Sequence, residues 1–157
     1  MGFITDSEEE LASNGFKKYL GYYSESSEYK VKKFTEAFRL AYNHVRHKKP
    51  ILNIGEVTIR LGKLASKEIA SDEEINLLGY CIGTLVGIFQ FQPKKPLENP
   101  HIFVTCIKIL MSNKQYEGFL KMIVIIVNLW KRYMLENRAQ LTAEEKNRFQ
   151  EFVKSEY

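Results

Sequence analysis

Residues 72–91 are apolar on most sides of a helix, and this stretch limits the folds open to the chain more than any other feature of the sequence. Ser71 and Glu74 precede it with the spacing of a capping box, in which the two side chains bond free backbone N–H groups at a helix start. A helix that is apolar nearly all round is buried, so we predict that 72–91 is the central helix of a bundle. Its apolar residues are Ile75, Leu77, Leu78, Cys81, Ile82, Leu85, Val86, Ile88 and Phe89.

Amphipathic helical periodicity runs through most of the remaining chain. A stripe of Phe34, Phe38, Ala41 and Val45 predicts a helix over 28–47. Similar stripes predict further helices over 54–69, 100–111, 114–135 and 143–155. Additional capping boxes are indicated at Asn53–Glu56, Ser112–Gln115 and Thr142–Glu145.

The sequence therefore predicts an all-α fold, a compact bundle of six or seven helices that forms a single domain over 1–157. Within it, residues 1–27 are expected at the periphery, and 141–157 as a loosely packed C-terminal helix. The longest apolar run, Met122–Val127, would also suit a strand, but its flanking helical stripe favours a helix. This run is far shorter than the ~20 residues needed to cross a bilayer, so no membrane span is predicted.

Charge is distributed unevenly, although the net charge is only +4. Residues 29–67 contain ten bases and two acids, a net charge of +8, whereas 1–28 and 68–92 are each net −4. Blocks of this size create a local electrostatic potential. A basic region of this kind is typical of proteins that bind nucleic-acid phosphates, and equally of a solvated helix face.

The second predicted helix carries Lys32, Arg39 and Arg46 at intervals of seven residues, which places them within about 40° of one another on one face. Such a ladder would contact successive phosphates, and Tyr42 and His47 would stack beside bases. Further cations follow this helix and continue onto the next. The predicted anion or nucleic-acid contacts are therefore Lys32, Arg39, Arg46, His47, Lys48, Lys49, Arg60, Lys63 and Lys67.

The stretch YNHVRHKKP, residues 42–50, would suit a metal if His44 and His47 shared a helix face. A zinc site needs three or four ligands, and the neighbouring cations would repel a divalent ion, so we predict no metal site. The stretch is better interpreted as a helix C-terminus with a cationic edge, ended by Pro50.

Patterns for catalysis are missing from the sequence, which has no nucleophile elbow and no phosphate-binding glycine loop. Cys81 and Cys106 lie in apolar stripes and are predicted to be buried reduced thiols of an intracellular protein, cytoplasmic or nuclear. We predict a protein that is not an enzyme and binds no cofactor.

Two features indicate contacts with other proteins. On the predicted helix 114–135, Val124 and Ile125 lie outside the core stripe among polar residues, so either another helix or a partner covers them. Tyr22 and Tyr23 lie in a polar segment, and exposed tyrosines are favoured at interfaces. These four residues form the predicted protein interface.

Two functions remain open from the sequence. The first is a non-catalytic protein-interaction or structural subunit, self-assembling or adaptor-like, with a basic face, whose partner is a second copy in a homo-oligomer or another protein. The alternative is an RNA- or nucleoprotein-binding protein, for example of a viral or ribonucleoprotein assembly, that uses the basic region 29–67.

Overall fold

The computed structural model describes residues 6–69 and 71–155, with side chains from Glu8 onward. These residues form eight α-helices and two short 3-10 segments, without any strand, so the predicted all-α bundle is confirmed. The helices are α1 (Asp6–Tyr22), α2 (Glu28–Arg46), α3 (Ile54–Leu64), α4 (Asp72–Phe91), α5 (Lys95–Glu98), α6 (Pro100–Ser112), α7 (Leu120–Glu136) and α8 (Ala143–Ser155). The 3-10 segments are Lys114–Phe119 and Arg138–Gln140.

Helix α4 is the predicted central helix, and every residue from Cys81 to Gln90 is buried. Its start is capped as expected: the Glu74 N–H donates to Ser71 Oγ at 3.2 Å, and the Ser71 N–H donates to Glu74 Oε1 at 3.3 Å. By length and apolar composition alone, α4 would also qualify as a membrane span. Of its most apolar window, 72% is buried inside the bundle, and core helices of folded proteins meet the same two criteria.

Helices α2 and α4 pack in parallel through small residues. A Cβ atom added to Gly79 would lie 2.5 Å from the Phe34 carbonyl oxygen, and one added to Gly87 would lie 3.0 Å from Val45 Cβ. Between these contacts, Gly83 meets the Phe38 carbonyl. Because the contacting residue numbers rise together on both helices, the helices run in the same direction. The absence of side chains on α4 here allows close backbone approach.

Helix α1 is an integral part of the core, so the expected peripheral position of 1–27 is wrong for its described part. Phe16 and Tyr19 are fully buried, and the Phe16 ring stacks on Phe34 with centroids 4.5 Å apart. Gly15 faces Gly118 of the 3-10 segment, where an added Cβ on Gly15 would lie 2.9 Å from the Gly118 carbonyl oxygen. Burial of this apolar face stabilises the attachment of α1.

Helix α8 is also firmly packed, which corrects the expected loose C-terminal helix. The Phe152 ring is fully buried against Trp130, with centroids 4.7 Å apart, and also contacts Phe89. The Arg148 guanidinium donates to the Glu98 carbonyl oxygen at 3.0 Å. A narrow apolar stripe is sufficient here because aromatic side chains bury a large area each.

Two predicted helix boundaries differ from the structure. Helix α3 ends at Leu64 rather than at 69, and the chain then turns so that Ile69 reaches the core, where its N–H donates to the Tyr19 hydroxyl at 3.0 Å. The predicted helix 114–135 begins as the 3-10 segment, and α7 starts only at Leu120. Both deviations are accompanied by tertiary contacts, since in the 3-10 segment the Tyr116 hydroxyl donates to the Leu61 carbonyl oxygen at 2.9 Å.

Candidate interaction surfaces

The ladder predicted on α2 is partly neutralised. Lys32, Arg39 and Arg46 are all exposed, but Arg39 forms an ion pair with Glu9 of α1, and its Nε donates to Glu9 Oε2 at 3.1 Å. Arg46 lies over the Phe91 ring, with its guanidinium carbon 6.0 Å from the ring centroid. Lys32 has no carboxylate partner within the described part of the chain. Two of the three cations therefore remain available to an anion.

The inner residues of the stretch 42–50 face the bundle rather than solvent. His44 Nδ1 lies 2.6 Å from the Tyr80 hydroxyl, and the Tyr42 ring packs edge-on against Phe91 with centroids 4.9 Å apart. Neither ring is free to stack on a base. Across the residues that the structure describes, no group of three His, Cys, Asp or Glu side chains is placed to hold a metal ion.

The outer residues of the same stretch form a compact cationic edge, defined as Arg46, His47, Lys48 and Lys49. His47 caps the C-terminus of α2, and Lys48 adopts a left-handed conformation with φ of 60°. The Lys49 N–H then donates to the His44 carbonyl oxygen at 2.7 Å. All four side chains are exposed, and within the described residues none of them pairs with a carboxylate.

The remaining predicted cations lie elsewhere. Lys67 forms an ion pair with Glu74 at the start of α4, whereas Arg46 contacts Phe91 at its end. The helix between Glu74 and Phe91 is about 25 Å long at ~1.5 Å per residue. Arg60 pairs with Glu56 at 3.6 Å, and Lys63 is exposed near the end of α3. Lys67 and Arg46 therefore lie too far apart to bind one phosphate group together.

The outer side of α7 exposes aliphatic residues in one arc. Val124 is 44% exposed and Ile125 is 39% exposed, as the sequence indicated, and Leu135 is 56% exposed. At ~100° per residue these positions and the polar residues between them lie within about 120° of the helix circumference. We define the α7 outer face as Lys121, Val124, Ile125, Asn128, Arg132, Leu135 and Glu136.

Leu135 was missed in the sequence because it was assigned to no stripe. It is eleven positions after Val124, which brings it back to the same side of the helix, about 20° away. The polar side chains of the face, namely Lys121, Asn128, Arg132 and Glu136, form no ion pair or hydrogen bond with other side chains in the described part of the chain.

The tyrosines predicted at an interface have different environments. Tyr22 is 52% exposed, and its ring packs edge-on against Tyr23 with centroids 4.9 Å apart. Tyr23 is half-buried because it packs in turn on the buried Tyr19 ring. Only Tyr22 therefore presents most of its surface to a partner.

A buried polar cluster was not anticipated from the sequence. Glu8 and Gln90 are 3% and 2% exposed, and Gln90 Nε2 donates to Glu8 Oε1 at 2.8 Å. Glu8 Oε2, Gln90 Oε1 and the Tyr42 hydroxyl are buried without a hydrogen-bond partner. Burial raises the pKa of Glu8 to about 8. The Tyr42 hydroxyl faces the Glu8 carboxyl outside hydrogen-bond geometry and lowers this pKa, but by less than burial raises it. Glu8 is therefore mostly protonated at neutral pH.

Cys81 and Cys106 are buried and form no disulfide. Burial raises the pKa of each thiol to about 12. A thiol reacts through its thiolate, so both side chains are unreactive in the folded protein.

Comparisons of the chain with known protein families, with curated proteins and with solved structures find no match. The class that the fold defines is an all-α helical bundle, and its surfaces are the basis for any assignment of function.

Proposed function

We propose that this protein is a non-catalytic interaction or structural subunit, self-assembling or adaptor-like, whose main contact surface is the α7 outer face. The observation that carries the proposal is the row of exposed aliphatic side chains, Val124, Ile125 and Leu135, on a single helix. Val124 and Ile125 adjoin each other, and Leu135 lies about 15 Å further along the helix, beyond Asn128 and Arg132. Exposed apolar side chains set among polar ones are typical of protein-binding surfaces.

The rigidity of α7 supports this proposal. Its opposite side buries Met122, Ile126 and Trp130 in the core, and Trp130 Nε1 donates to the Pro93 carbonyl oxygen at 2.7 Å. A face held by such packing loses little conformational entropy when a partner binds. The unpaired cations Lys121 and Arg132 add a basic character to the surface.

Site-specific photo-crosslinking tests the proposal. A benzophenone side chain at position 124 should form a crosslinked product in cells that express the protein, and one at Thr105, which is exposed on α6, should not. The double substitution V124E/I125E should abolish association of the protein with its partner or with itself, measured as molecular mass by light scattering. It should leave the helical circular dichroism spectrum unchanged. Absence of any product at position 124 would contradict the proposal.

A second candidate function is supported by the cationic edge. Three cationic side chains and one histidine without carboxylate partners at one helix end would bind phosphates of RNA or of a nucleoprotein. With about three phosphates neutralised, log affinity for single-stranded RNA should fall with log salt at a slope of about −2.

Fluorescence anisotropy with labelled single-stranded RNA at low and high salt tests this second function. The variant K48Q/K49Q should bind RNA about tenfold more weakly than the wild type. The variant K108Q/K114Q removes the same charge from other exposed positions and should bind normally. Equal loss in both variants would show an effect of net charge alone and would reject the edge as the binding site.

A further inference from the structure

We propose that the partner of the α7 outer face is a second copy of this chain, packed with the two α7 helices antiparallel across a two-fold axis near Asn128. This inference rests on the proposed interaction function and specifies its partner and geometry. The observation behind it is the order of charged, polar and aliphatic residues along the face.

The aliphatic residues and Glu136 occupy the edges of the face, and Lys121 and Arg132 lie nearer its middle. Val124 and Leu135 lie on one edge, about 20° apart, and Ile125 and Glu136 lie on the other, also about 20° apart. Asn128 is between the edges and near the middle of the face. With a two-fold axis perpendicular to both helices, the edge with Val124 and Leu135 faces the same edge of the second copy. The edge with Ile125 and Glu136 likewise faces its own counterpart.

In this arrangement Lys121 and Glu136 meet as complementary charges, and Arg132 comes level with Val124 of the other copy. Lys121 of one copy comes level with Glu136 of the other, within about 2 Å along the helix axis, when Asn128 is placed at the axis. Both side chains are exposed and lack partners in the described part of the chain. Two symmetric ion pairs result, because a two-fold contact repeats every interaction.

The apolar residues are also brought together. Val124 of one copy comes within about 5 Å, along the helix axis, of Leu135 of the other. This contact covers the two most exposed aliphatic side chains of the face, which are 44% and 56% exposed. The two Asn128 amides meet at the axis, where each offers both a donor and an acceptor to the other.

A parallel arrangement lacks this complementarity. It would place Lys121 opposite Lys121 and Arg132 opposite Arg132, and like charges in close contact are unfavourable. The antiparallel contact is about 25 Å long, the length of a 17-residue helix. A contact through one helix of this length buries less area than most permanent interfaces. A dimer that dissociates on dilution is therefore expected.

Disulfide trapping with single cysteines distinguishes the geometries. Asn128→Cys should give a covalent dimer on mild oxidation, since the two positions meet at the axis and the native thiols are buried. Lys121→Cys should not, because its two copies would lie about 20 Å apart along the antiparallel pair. Efficient dimers from both variants would indicate parallel helices and overturn the inference.

Charge exchange provides the second test, measured by sedimentation equilibrium at low salt. K121E and E136K should each weaken the dimer about tenfold, because each breaks two symmetric ion pairs. The double variant K121E/E136K should restore wild-type association. Failure of the double variant to restore it would overturn the antiparallel register.

The outcome of the crosslinking at position 124 separates this inference from the proposed function. A product that contains a different protein, together with a wild type that stays monomeric, would reject the second copy as partner and leave the interaction function standing. No product at position 124 would reject both. Circular dichroism of every variant excludes unfolding as the cause of a lost dimer.

Discussion

The backbone of Gly83 in α4 lies directly against the carbonyl group of Phe38 in α2, with no space for a side chain between them. Gly79 repeats this relationship with the Phe34 carbonyl one turn earlier, and Gly87, one turn later, lies against the Val45 side chain. Helix α2 carries Ala37 opposite Gly79 and Ala41 opposite Gly83, so small residues line both sides of the contact there. Helices packed through small residues approach more closely than the usual 8–10 Å.

Substitution of Gly83 by alanine should therefore destabilise the protein strongly. The added methyl group would overlap the Phe38 carbonyl, and we expect a loss of about 2–3 kcal/mol in the free energy of unfolding, measured by urea denaturation. Gly62→Ala is the matched control, because its Cβ meets only Ile109 Cδ1 at 3.9 Å. In the exposed interior of α3 it should raise stability by about 0.5–1 kcal/mol. Equal effects of both substitutions would contradict the close contact.

Stability should depend on pH through Glu8. Its pKa is about 8 in the folded protein, whereas a glutamate side chain ordinarily has a pKa of about 4.5, so the folded state binds the proton more tightly than the unfolded chain. The resulting stabilisation is complete below about pH 4.5 and is lost as the pH rises towards 8. Between pH 5.5 and pH 8 the loss should be on the order of 3 kcal/mol.

Urea denaturation at pH 5.5 and pH 8 gives the change in the free energy of unfolding between the two pH values, which is then compared between the wild type and two variants. Glu8→Gln, which keeps the shape without the charge, should have a free energy of unfolding that changes less with pH than that of the wild type. Glu10→Gln, at an exposed position of α1, should behave like the wild type. A wild-type pH dependence that persists in Glu8→Gln would show that another group is responsible.

Removal of the Phe152 ring should detach α8. The ring is fully buried against Trp130, and Phe152→Ala should cost about 3–5 kcal/mol. Trp130 is the single tryptophan of the chain, so its fluorescence reports directly on this contact and should shift to longer wavelength. Val153→Ala, at a position 39% exposed, should change neither stability nor emission appreciably.

The two native thiols should resist modification in the folded protein. With the pKa of each raised to about 12 by burial, neither Cys81 nor Cys106 should react with a disulfide reagent at pH 8, and both should react in denaturant. Rapid labelling of a native thiol would show that α4 and α6 separate easily.

The parts of the fold that the sequence predicted correctly depend on local signals. The central helix and the capping boxes at Asn53, Ser71 and Thr142 require only residues within a few positions of one another, and all are observed. The box predicted at Ser112–Gln115 does not form. Gln115 donates instead to the Ala65 carbonyl oxygen at 2.6 Å, a partner that no local pattern reveals.

The candidate surfaces were harder to predict because charges are paired across the fold. The ion pair of Arg39 with Glu9 joins residues that are 30 positions apart, so the cations of the ladder looked equivalent in sequence. The spacing Gly79-x-x-x-Gly83-x-x-x-Gly87 was the available sign of the close contact with α2. The buried pair of Glu8 and Gln90, 82 positions apart, had no sign in the sequence.

The packing of α1 against the segment Lys114–Phe119 affects how the chain folds during synthesis. Lys18 contacts Glu117 at 3.2 Å, although the two residues are 99 positions apart. A ribosome needs about 5–20 s to add that many residues. Throughout this interval the part of α1 that packs on this segment, with Gly15 against Phe119 and Tyr19 against Tyr116, lacks those partners and is open to chaperones. Helix α1 therefore completes its packing only after the segment Lys114–Phe119 has been made.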